Sequence, residues 1–102
     1  MNSDAFQKLD KVIHEKTRLG IVSLLATSPE LSFTEIRDNL NLTDGNLCIQ
    51  LRTLQQSGYI AVTKTFEKRR PRSTCALTAK GRQAFADYIG ILEQIVKQSR
   101  RK

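Results

Sequence analysis

Residues 43–66, TDGNLCIQLRTLQQSGYIAVTKTF, constrain the fold of this chain more than any other stretch. They prescribe a helix, both of its ends and the strand that follows. The Thr43 hydroxyl is suited to accept a hydrogen bond from a free amide of the first turn, which makes it an N-cap. Leu47, Leu51 and Leu54 follow at i, i+4 and i+7, one face of a helix. Gly58 fits the position just past the helix end, where the backbone turns left-handed. The spacing therefore predicts a helix over 44–57. Tyr59 to Thr63 is β-prone, and the basic run Lys68-Arg69-Arg70-Pro71-Arg72 reads as a hairpin tip. The two strands are expected over 60–66 and 73–77.

The residues before Thr43 complete a unit. Ser32-Phe33-Thr34-Glu35 has the form of a capping box. It opens a helix to about Leu40, with Phe33, Ile36 and Leu40 inward. Asn41-Leu42 is a short turn, so the pair reads as a helix-turn-helix. Leu31-Ser32 is expected to form a short strand that pairs with the later hairpin. Arg18 to Ala26 is apolar over a broad arc, as suits a central helix, and Pro29 ends it by Ser28. Thr17 is its expected cap. Phe6, Leu9 and Ile13 predict an amphipathic first helix that continues to about residue 13. A helix-turn-helix followed by a basic hairpin is the outline of a winged helix-turn-helix. The fold class is thus mainly α with a small β-hairpin wing, in a single domain over 1–102.

With the three leucines inward, Gly45, Asn46, Ile49, Arg52, Thr53 and Gln56 face outward. A merely solvated face usually carries Lys and Glu, whereas this one holds small and uncharged polar groups around one Arg. Asp44 is the acid among them, placed to serve the helix dipole. Thr78 is a cap for a last helix over about 79–98. There Phe85, Tyr88, Leu92 and Ile95 recur at spacings of three and four, with Ile89 and Val96 beside them, close to a heptad seam. This stripe exceeds what a domain of this size needs, so it is the expected homodimer interface.

Charge supports a polyanionic partner. Residues 1–41 hold five basic and six acidic side chains, and residues 42–102 hold twelve and four, giving +7 overall. No apolar run nears the ~20 residues of a membrane span, and the first residues lack the pattern of a signal peptide. A cytoplasmic protein without a membrane partner is expected. Cys48 and Cys75 are expected to be free thiols, and with the lone His14 they are too few for a metal. Cys48 reads as a small packing residue; the alternative is an oxidant sensor beside the helix N-terminus. No nucleophile–base pair, phosphate loop or carboxylate pair suggests an enzyme, and no cofactor is implied.

The chain resembles a family of small bacterial and archaeal winged-helix transcriptional regulators related to the MarR and ArsR types. The resemblance rests on His14–Arg18 with Leu19-Gly20-Ile21, Leu31–Ile36, Leu42-Thr43-Asp44-Gly45-Asn46-Leu47, Leu54 with Ser57-Gly58-Tyr59, Arg70-Pro71-Arg72 and Leu77-Thr78-Ala79-Lys80-Gly81. It covers residues 8 to 96. It implies a homodimer paired through the terminal helices, with the Thr43 helix in the major groove and the Arg70 hairpin on backbone or minor groove. The expected DNA contacts are then Thr43, Asp44, Gly45 and Asn46 at the first turn and Ile49, Arg52 and Thr53 along the helix. Lys64, Lys68, Arg69, Arg70 and Arg72 are expected on the wing. The expected function is a sequence-specific, dimeric repressor on a palindromic double-stranded operator. A winged-helix protein-interaction module and a thiol-responsive regulator are the alternatives; a small-molecule effector is unknown.

Overall fold

The structure, a computed structural model, describes residues 3–100. Met1, Asn2, Arg101 and Lys102 of the expected single domain lie outside the described residues. The elements run α1 (Ser3–Gln7), α2 (Lys16–Thr27), β1 (Leu31–Ser32), α3 (Phe33–Leu40), α4 (Asp44–Gln56), β2 (Ile60–Glu67), β3 (Arg70–Leu77) and α5 (Ala79–Ser99). Helices pack on a three-stranded antiparallel sheet of order β1-β3-β2. The fold is the winged helix expected from the sequence.

The caps form as the sequence requires. Ser32 Oγ accepts from the Glu35 amide at 3.1 Å, and the Glu35 carboxylate accepts from the Ser32 amide at 2.9 Å. These bonds hold the Glu35 carboxyl below its ordinary range, with the nearby Arg72 charge adding to them. Thr43 Oγ1 accepts from the Asn46 amide at 3.1 Å and starts α4. Gly58 leaves α4 at φ 79, as expected of a left-handed exit. Thr78 caps α5 through the Gly81 amide and also donates to the Gly58 carbonyl. A Cβ on Gly81 would stand 2.1 Å from the Tyr59 carbonyl oxygen. The motif Leu77–Gly81 is therefore a seat: α5 begins against the backbone that leaves α4, and only glycine fits there.

The main core is a cluster centred on α2. Ile21, Val22 and Leu25 of α2 meet Ile36 of α3, Leu47, Leu51 and Leu54 of α4, and Ile60, Cys75 and Leu77 of the sheet. Burial of the α4 leucines follows the predicted face.

Three local expectations fail. The first helix stops at Gln7 instead of continuing to Ile13. Asp10 ends it, because its carboxylate accepts from the amides of Val12 and Ile13 at 2.8 and 3.1 Å and turns the chain. Phe6 is left exposed while Ile13 is buried. Secondly, Glu15 and not Thr17 caps α2, taking the amides of Thr17 and Arg18 at 3.0 Å each. Partial burial pushes the Glu15 carboxyl up, but those amides and the Arg18 charge outweigh it and leave the group lowered.

The third concerns the wing. The strands run on through the basic segment, and the loop is only Lys68-Arg69. Both residues have positive φ, 52 and 65, as a two-residue loop of type I′ demands. A two-residue loop makes Glu67 and Arg70 the hydrogen-bonded pair, so Pro71, opposite Phe66, owes the ladder no amide. That is how a proline sits inside β3.

Candidate nucleic-acid interface

α4 and the β2–β3 hairpin form the candidate site. Thr43, Asp44, Gly45, Ile49 and Arg52 are exposed, and Asn46 and Thr53 are half-buried. Ile49 is 59% exposed, as its helical position requires. Space around Gly45 is open, with no atom beyond its own stretch of chain within 4 Å of an added Cβ. Two hydroxyls expected on the surface are already engaged: Thr43 in the cap, and Thr53 in a bond to the Ile49 carbonyl.

Acidic charge around the site is paired. Arg37 of α3, a residue that helical spacing does not single out, donates to Asp44 at 2.9 Å and to Asp38 at 3.0 Å. Bonds to these two carboxylates raise the Arg37 guanidinium further above its ordinary value. Asp44 thus has a cationic partner at the helix start, which it shares with Asp38. Only a contact across the turn could show this, so the signal lay in the fold and not in the sequence pattern. Arg72 lies between Glu67 at 3.0 Å and Glu35 at 3.4 Å, so it serves the domain itself before any ligand. Lys64, Lys68, Arg69, Arg70 and Arg52 make no ion pair among the described residues. All five are exposed. The strand register places Lys64 and Phe66 on the face that Ile60 and Val62 turn to the core, but past the helices. Phe66 is 80% exposed there.

The thiols are free. Cys48, expected to pack, is exposed on α4; Cys75 packs in the sheet, where burial pushes its thiol up to about 11.

The expected seam on α5 divides. Tyr88 is closed off within its own chain and bonds His14 Nδ1 at 2.7 Å, so it offers nothing to a second protomer. Phe85 packs against the core. The sequence pattern missed this because the partner, the 10–15 turn, has no periodicity. Beyond Tyr88 no residue of α5 is buried. Ile89, Leu92 and Val96 line a shallow groove of about 420 Å³.

Residues 17–96 match the family described as the winged helix DNA-binding domain. An uncharacterized protein of Methanocaldococcus jannaschii is 34% identical over 87 residues, 85% of this chain and 95% of that one. The transcriptional regulator homologue protein from Pyrococcus horikoshii OT3 shares the fold at TM-score 0.86 and 23% identity, over 97% and 96% of the two chains. MepR of S. aureus, solved as a DNA complex, shares it at TM-score 0.76 and 19% identity, over 95% and 79%.

Proposed function

We infer that this chain, which belongs to the winged helix DNA-binding domain family, is a sequence-specific regulator of transcription. It works in the cytoplasm, binds duplex DNA as a homodimer of MarR-like arrangement, and represses by occluding its operator. One observation carries the reading. Among the described residues, Arg52 of α4 and Lys64, Lys68, Arg69 and Arg70 of the wing make no ion pair, while Asp44 is held by Arg37, and Glu35 and Glu67 by Arg72. A polyanion meets charge there that the domain has not used internally.

In this reading α4 lies in the major groove. The amides at its first turn, from Asp44 to Asn46, and the charges of Lys64, Lys68, Arg69 and Arg70 meet phosphates. Asn46, Ile49 and Arg52 face base edges. Arg72 holds the wing against α3 and adds field more than contact. The α5 residues Ile89, Leu92, Ile95 and Val96 supply the dimer interface, which explains five large aliphatic side chains past Tyr88 with none buried. Two-fold symmetry then requires a palindromic operator with half-sites ~34 Å apart. Footprinting of the purified protein on genomic DNA is the test. The expected result is a small set of protected palindromes; protection no better than on random DNA overturns the reading.

A further inference from the structure

Arg18 belongs to α2, outside the reading helix, and its side chain is only 19% exposed. Its Nε donates to the Val12 carbonyl at 2.6 Å, and the Glu15 carboxylate stands 3.8 Å away. Its Nη1 donates to Gln50 Oε1 at 2.8 Å. Gln50 Nε2 in turn donates to Asn46 Oδ1 at 3.1 Å. The three side chains form a relay from α2 to the first turn of α4.

The relay runs in one direction only. A guanidinium has donors and no acceptor. It can hold Gln50 only by the amide oxygen, which turns the Gln50 nitrogen to Asn46. Asn46 must answer with its own oxygen, and its amide nitrogen is turned away from Gln50. We propose that Arg18 is a positioning residue that commits Asn46 to act as a donor toward DNA. Asn46 then reads a base edge made of acceptors, guanine above all, through N7 and O6. The two-bond contact of an asparagine with adenine needs the oxygen toward the base, where this relay does not leave it. The inference rests on α4 lying in the major groove, as read above.

The test selects full-length protein on a randomised duplex library and compares the enriched motifs of four proteins. The parent is expected to enrich guanine at one half-site position by about tenfold over adenine, on the scale of a good base contact. Gln50→Glu reverses the relay: a carboxylate still accepts from Arg18 but can only accept from Asn46, which turns the Asn46 oxygen outward. That position should switch to adenine or cytosine, whose exposed amino groups are donors. Arg18→Met and Gln50→Leu release Asn46, and the same position should lose its preference while the rest of the motif stands. If Arg18→Met fails to fold, the Gln50 pair carries the test. An unchanged motif in Gln50→Glu, or a loss spread evenly over all positions, overturns the proposal. No motif at all from the parent overturns the DNA-binding reading instead.

Discussion

At the residue scale, Ile49 is the side chain whose placement is hardest to explain by stability. It is 59% exposed in the middle of a polar face. In a major groove it has a partner, since the thymine methyl is the apolar feature of the base-edge code. Ile49→Ala is expected to cost about 1 kcal/mol on an operator with thymine at the matching position, in line with the apolar area removed. With uracil there, the cost should largely vanish. A double cycle of protein and base reads this, and additive effects would rule the methyl interaction out. Tyr59 makes a second prediction. Burial first, then its hydrogen bond to Asp10 and that carboxylate's charge, push the phenol up to about 12 from 10.0. The folded state keeps a proton that the unfolded chain releases. Tyr59 thus contributes stability that is complete below pH 10.0 and lost as pH rises toward about 12. Denaturant midpoints on either side of that window should fall with pH in the parent and fall less in Tyr59→Phe.

At the element scale, the wing is a charged hairpin closed by an unfavourable turn. Lys68 and Arg69 occupy the left-handed region without the glycine or asparagine that the turn favours. Lys68→Asn with Arg69→Gly should raise stability by about 1 kcal/mol in thermal unfolding and weaken DNA binding, since two charges go. A protein that gains stability and keeps full affinity would show that the tip does not touch DNA. Arg70 and Arg72 separate contact from scaffold. Arg70→Ala should lower the log–log salt slope by ~0.9 for each phosphate it no longer neutralises. Arg72→Ala should move the slope less, because Glu35 and Glu67 already hold that side chain. Equal slopes for both variants would contradict the division.

At the scale of the whole molecule, the radius of gyration is 15.5 Å, against about 13 Å for a compact domain of this length. Two overhangs account for the excess: the wing beyond Thr63, exposed through Arg72, and α5 beyond Tyr88. Leu92 lines the groove on the second overhang. Leu92→Glu should turn a dimer into monomers by light scattering and weaken operator binding steeply, because linked half-sites gain from effective concentration. A monomeric parent at micromolar concentration would defeat the dimer.

Local physics is legible in the sequence at most positions where a residue acts on its own neighbours. Asp10 and Glu15, whose carboxylates take the amides two and three residues on, are the exceptions, because several nearby polar residues could have filled the same role. The Ser32–Glu35 box, the Thr43 and Thr78 caps, the Gly58 exit and the α4 leucine face depend on spacing alone, and each forms. The strands are legible too, but their ends are not, because a basic run with a proline looks like a loop until the register shows which amides the ladder needs. Contacts between distant residues have no such signal. Asp10 holding Tyr59, Arg37 taking Asp44 across a turn, His14 bonding Tyr88 and Arg18 reaching Gln50 all join segments whose sequences carry no mark of each other. The sequence determined which side of α4 faces outward; the tertiary structure decided which charges on that side are still free and which way its amides point. Periodicity records a residue's position on its own element, whereas a side-chain hydrogen bond depends on where a second element has been packed.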